Sequence, residues 1–165
     1  MAETTRLGRR SLLSLLTFVV ICFGAAALGS LVTAGSVESW YAGINKPPWT
    51  PPNWLFGPVW TLLYLMMALS GWLIWRERRH LLANTVLILF SAQLALNTLW
   101  SGLFFGLHLT GWAMVDILAL WALIGLYALN ARKISSAAAL LFLPYWAWVS
   151  FASALNIAVW WLNHS

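Results

Sequence analysis

Five stretches of this chain are apolar for long enough to cross a bilayer as helix, and that property limits what the chain can fold into. They cover residues 12–34, 55–75, 81–106, 111–129 and 136–161. About 20 apolar residues, each rising 1.5 Å in a helix, span the hydrocarbon core. Only 8% of the residues are charged, whereas a soluble domain carries about a quarter. The expected fold is an all-α integral membrane protein, a five transmembrane helix bundle. It forms one domain over 12–161, between a basic N-terminus (1–11) and a short C-terminal tail (162–165). The breaks RERRH (76–80), LHLT (107–110) and ARKIS (131–135) are short, so consecutive helices are expected to pack antiparallel as neighbours. Only the connection over 35–54 is long.

The charges give an orientation. Arg6, Arg9 and Arg10 precede the first span, Arg76, Arg78 and Arg79 follow the second, and Arg132 and Lys133 follow the fourth. If five helices alternate, all eight share one side and Lys46 stands alone on the other. The excess of Lys and Arg marks the cytoplasmic side. The N-terminus is therefore expected in the cytoplasm, with the 35–54 loop and the C-terminus outside, in a bacterial inner membrane. The net charge of +5 does not imply nucleic acid, because the cations are too few and too segregated to track phosphates. TRLGRRSLLSLL resembles the start of a signal peptide, but the run behind it is longer than an ordinary signal core, and a retained helix is expected. Cys22, the single cysteine, can make no intrachain disulfide.

WYAGINKPPWTPPNWLFGPVW, residues 40–60, carries four tryptophans and five prolines with Lys46 as its only charge. Pro47, Pro48, Pro51 and Pro52 fix φ and push their predecessors out of helix, so KPPWTPP is expected to be extended and stiff. Pro58 fits the opening turn of the second helix. A belt of interfacial indoles needs no paired prolines. A lid ordered at low entropy cost over a cavity between helices explains them better.

Helical spacing supplies that cavity with walls. Trp60, Tyr64 and Met67 recur on one face of the second span; Gln93, Asn97, Trp100 and Ser101 share a face of the third. Trp112 and Asp116 lie four apart on the fourth. Tyr145, Trp148, Ala152 and Asn156 share a face of the fifth, after a kink expected at Pro144. Trp60, Trp100, Asp116 and Asn156 fall in the lid half, with Asn97 and Trp148 nearer the middle. Polar groups in hydrocarbon face protein or a cavity, although interhelical hydrogen bonding is the simpler role for Gln93, Asn97 and Asn156. Asp116 is a possible proton site, or a structural carboxylate near the interface. Gly102 and Gly106 form a GxxxG pair on the third span, suited to a homodimer interface through that helix or to packing within the chain. His80, His108 and His164 lie in loops or at the terminus, and no metal site is expected. No catalytic triad, phosphate loop or metal cluster is present, which excludes conventional hydrolytic and nucleotide chemistry.

The loop WYAGINKPPWTPPNWLFGPVW, then QLALNTLWSGLFFG with GWAMVD, then LPYWAWVSFASALN resemble the TspO/translocator protein family, also called the tryptophan-rich sensory or peripheral benzodiazepine receptor proteins. The resemblance covers nearly all of the chain from Trp40 onward. It implies a five-helix bundle, commonly a homodimer, that binds tetrapyrroles such as protoporphyrin IX or haem, with no obligatory cofactor. The family is also associated with sterols, drug-like aromatic ligands, stress responses and, in some members, light-dependent porphyrin breakdown. It implicates Trp60 and Trp148 in porphyrin handling, Asn97 in ligand hydrogen bonding and Ala152 in ligand affinity. Tyr41, Pro47, Trp49 and Pro51 match its loop motif. Animal relatives carry a cholesterol-associated Val/Leu-x-Tyr-x-Arg/Lys pattern, absent here, where Ile157 and Trp161 take the tyrosine and basic positions; such patterns are weak in any case.

Three functions are consistent with these residues. The first is a membrane binding protein for flat tetrapyrroles, acting as sensor or transporter. In it Trp60, Trp100 and Trp148 pack the macrocycle, Tyr64, Asn97 and Asn156 line the site, and Lys46 meets a carboxylate. The second is an enzyme that degrades porphyrin oxidatively in light through Trp60 and Trp148. The third is a proton-coupled exporter using Asp116, although no inverted repeat is visible.

Overall fold

The computed structural model describes residues 2–164, with side chains from Ser11 onward. Met1, Ser165 and the side chains of Arg6, Arg9 and Arg10 lie outside the described residues. The elements are α1 (Ala2–Val37), α2 (Trp40–Gly43), α3 (Asn53–Arg76), α4 (Ala83–Ser101), a π-helical turn (Gly102–Gly106), α5 (Thr110–Ala131) and α6 (Ser136–His164). The described residues contain no strand. Five of these helices are long and apolar enough to cross a membrane: α1, α3, α4 with its π turn, α5 and α6.

These five close into a ring in the order α1, α3, α6, α5, α4 and back to α1. The expectation that every pair of consecutive spans would be neighbours fails at α3 and α4, despite the short link between them. They meet across the interior instead, through Tyr64 with Asn97 and Met67 with Gln93. At the end away from the lid the ring is filled. Ser70 Oγ donates to the Ala138 carbonyl at 2.7 Å, so Tyr127 donates to Ser70 at 2.8 Å. Those two bonds tie α3, α5 and α6 where water is excluded and an unpaired hydroxyl would be costly. Gly71 makes α1 and α3 close there: a Cβ on it would lie 2.7 Å from the Phe18 ring and 2.9 Å from that of Phe90. The first apolar run is thus an integral stave of the bundle.

Several boundaries differ from the expectation. The third span starts at Ala83, leaving Leu81 97% exposed in the connection. α3 starts at Asn53, so Pro58 lies beyond the opening turn and removes the bond to the Trp54 carbonyl. Trp54 is exposed, so that carbonyl can be satisfied from outside the bundle. The long connection is not extended throughout: Trp40–Gly43 is a helical turn, and Thr50 N–H donates to the Pro47 carbonyl at 3.0 Å across a bend at Pro48 and Trp49. α6 runs unbroken through Pro144.

Candidate functional site

In the lid half the ring does not close on itself, and a cavity of about 590 Å³ lies between α1, α3, α4 and α6. Trp60, Thr61 and Tyr64 of α3 face Trp148, Ala152, Leu155 and Asn156 of α6. Asn97, Trp100 and Ser101 of α4 form a third wall. The π turn extends that wall. Its wider register closes with Leu107 N–H donating to the Gly102 carbonyl at 2.9 Å, and it presents both Phe104 and Phe105 to the space. Trp100 stacks on Phe104 with centroids 5.2 Å apart and meets Phe105 edge-on at 5.8 Å.

The fourth wall is α1. Ala26, Ala27, Gly29, Ser30, Thr33 and Ala34 line the cavity, with Phe23 below and Val37 above. Sequence reasoning missed this wall, because a run of small residues in an apolar helix looks like any lipid-facing segment. Its small side chains leave room that leucines would fill. Gly29 also lets α4 approach: a Cβ there would meet Ser101 Oγ at 3.2 Å. Ala27, Ser30 and Ala34 of α1 and Gly57 and Thr61 of α3 line the cavity and are also exposed. The space therefore reaches the outer surface of the bundle between α1 and α3.

The floor is a chain of hydrogen bonds. Tyr64 donates to Asn97 Oδ1 at 2.5 Å, Asn97 Nδ2 donates to the Tyr145 hydroxyl at 2.9 Å, and Tyr145 donates to Gln93 Oε1 at 3.0 Å. Higher up, Trp100 Nε1 donates to Asn156 Oδ1 at 3.0 Å, and Asn156 Nδ2 donates to the Thr110 carbonyl at 2.9 Å. Asn97 and Asn156 thus line the cavity while joining helices. Trp148 differs: its Nε1 is buried with no hydrogen-bond partner among the described residues. Among the described residues, no charged side chain lines the space.

Tyr41, 5% exposed, closes the top from α2 against Phe104 and Phe105. Burial raises its phenol above the ordinary value, so it stays neutral. The lid is anchored at two points. Lys46 Nζ donates to the Tyr41 carbonyl at 2.5 Å and to those of Ala42 and Ile44 at 3.3 Å, and it lies over the Tyr41 ring at 4.9 Å. At the other point, Asn45 N–H donates to Asn163 Oδ1 at 3.0 Å and Asn163 Nδ2 donates to the Asn45 carbonyl at 2.9 Å. Asn163→Ala removes both of those bonds, each worth about 1 kcal/mol net. Hydrogen exchange at the Asn45 amide is then expected to quicken at least about tenfold, with the amides of α3 unchanged.

The structure leaves several of the expected site residues outside the cavity lining. Lys46, Pro47 and Trp49 do not line the cavity. Lys46 uses its donors on carbonyls, Pro47 is buried within the lid, and Trp49 packs edge-on against Phe151 at 5.8 Å. Asp116 does not line it either, because α5 packs behind α4 and α6 and contributes no lining residue. Asp116 is 7% exposed and its Oδ2 has no hydrogen-bond partner among the described residues. Trp112, one turn earlier, is 67% exposed. Gly106 is occupied within the chain: a Cβ there would lie 2.7 Å from Val32 of α1, whereas one on Gly102 would meet nothing within 4 Å. Gly106 thus packs within the chain against α1, while Gly102 is open.

A ring of five apolar helices enclosing an indole-lined cavity under a pinned lid defines an α-helical membrane protein with an internal cavity. The chain belongs to the TspO/MBR family, whose profile matches residues 18–162. It is 44% identical over 153 residues to the tryptophan-rich protein TspO of Archaeoglobus fulgidus, covering 93% of this chain and 99% of that one. It is 40% identical over 139 residues to the human translocator protein, covering 83% and 82%. To the tryptophan-rich sensory protein of Cereibacter sphaeroides it is 33% identical over 148 residues, 90% of each chain.

Proposed function

We propose that the chain binds a tetrapyrrole of the protoporphyrin IX type in the cavity beneath Tyr41 and acts as a sensor or transporter of it. The observation that carries this reading is the set of three indoles, Trp60, Trp100 and Trp148, around one uncharged space. A porphyrin is a broad apolar plate, and aromatic walls bury its faces. Trp148 Nε1, without a partner among the described residues, is a donor for the ligand's polar atoms. With no cation in the lining, the propionates sit at the gap between α1 and α3 rather than inside, since an unpaired buried carboxylate is costly. His80, His108 and His164 do not line the cavity, which favours the free porphyrin over haem. The names of the relatives, translocator and sensory protein, are compatible with either role. We place the protein in a bacterial inner membrane, N-terminus in the cytoplasm and lid outside.

The test is a protoporphyrin IX titration in detergent and in the dark, followed by tryptophan quenching. Saturable binding in the low micromolar range is expected, weakened in both Trp60→Phe and Trp148→Phe. Binding that never saturates removes the reading. The indoles lining the cavity also suit a second reading, light-dependent oxidative breakdown of the porphyrin. Illumination should then yield one defined product that both variants fail to make. Proton-coupled export loses its direct route, because Asp116 stands outside the cavity wall.

A further inference from the structure

At the end opposite the lid, α1 and α3 share a tight seam. Phe18 packs on Trp75 with centroids 6.4 Å apart, and Trp72 Nε1 donates to the Ser11 carbonyl at 3.1 Å. Two arginines lie on this seam over the same two indoles. Arg76 Cζ is 5.0 Å from the Trp72 ring centroid, and Arg78 Cζ is 5.4 Å from that of Trp75. Glu77 stands between them in sequence, yet among the described residues neither guanidinium pairs with it or with any other carboxylate. A guanidinium held over an indole keeps its N–H donors in a fixed fork, free to take two oxygens at once. Arg79 lies in the same connection. Arg132 and Lys133 lie at the same end, where the Ser70 bond to Ala138 sets the start of α6 beside α3.

We propose that this seam binds the phosphodiester headgroup of an anionic phospholipid, with Arg76 and Arg78 on the phosphate oxygens. The two forks are pre-oriented by Trp72 and Trp75, and bidentate arginine contacts suit phosphate. A lipid fits better than a soluble anion because both arginines stand at the end of a membrane-spanning helix. Trp75, 40% exposed, offers an indole at the level where such rings meet headgroups. A bound headgroup would hold both guanidiniums over the two indoles that seat α3 against α1.

The test is the melting midpoint of the purified protein in neutral detergent. Phosphatidylglycerol, phosphatidylcholine with the same acyl chains, or inorganic phosphate is added. Phosphatidylglycerol is expected to raise the wild-type midpoint by about 4 °C, with no comparable rise from the other two. The Arg76→Gln/Arg78→Gln protein should lose that increment, and Arg132→Gln/Lys133→Gln should keep it. Arg76→Lys/Arg78→Lys retains the charge without the fork; it should also lose most of the increment, and it serves if the glutamine variant does not fold. Equal rises with phosphatidylcholine or inorganic phosphate overturn the proposal. So does an increment that survives in both Arg76/Arg78 variants or disappears with Arg132 and Lys133.

Discussion

Ala152→Phe is expected to weaken porphyrin binding about ten- to hundredfold while leaving the bundle folded. Ala152 lies on the α6 wall between Trp148 and Asn156 and faces the space directly. A benzyl group there takes volume that the macrocycle needs. Overpacking a well-filled site costs about 1–3 kcal/mol, and each 1.4 kcal/mol is a factor of ten in affinity. The added ring can point into empty space in the free protein, so stability should hold or rise. The checks are a quenching titration and a melting curve on one preparation. An unchanged dissociation constant would mean that the ligand sits elsewhere.

Asn97→Leu is expected to give the largest loss of stability among the cavity residues. Asn97 receives the Tyr64 hydroxyl and donates to Tyr145, joining α3, α4 and α6 at one level. Leucine has a similar volume but no polar atoms. Tyr145 keeps its bond to Gln93, so the damage falls mainly on Tyr64, left with a buried donor and no acceptor. Such a group costs about 1–3 kcal/mol, above the ~0.6 kcal/mol average for interhelical bonds in membranes. Removing that hydroxyl as well, in Tyr64→Phe/Asn97→Leu, should recover part of the loss. A denaturation series on both single variants and the double gives the coupling. Purely additive effects would show that the chain of bonds does not hold the helices together.

The five spans were legible because apolar length is a coarse signal that few folds can produce. The cavity walls on α3, α4 and α6 were legible because Trp60, Asn97, Trp148 and Asn156 are conspicuous in an apolar helix. The α1 wall was not, since its contribution is the absence of bulk at Ala26, Gly29 and Ala34. The π turn left no trace in SGLFFG: it differs from α-helix by one step in hydrogen-bond register. Lys46 misled because a lone cation in a ligand-facing loop suggests an anion, whereas here it satisfies the carbonyls around a short helix that the sequence did not announce. Asp116 and Trp112 lie one turn apart, yet the aspartate is buried and the indole exposed. Helical spacing assigns a face but not the helix behind which that face lies.

The central claim is that a flat tetrapyrrole occupies the space beneath Tyr41. The most direct measurement is a crystal structure of the protein grown with protoporphyrin IX in the dark. The account predicts macrocycle density among Trp60, Trp100 and Trp148, with the propionates toward the gap between α1 and α3. Density only on the outer surface, over an empty cavity, would contradict it.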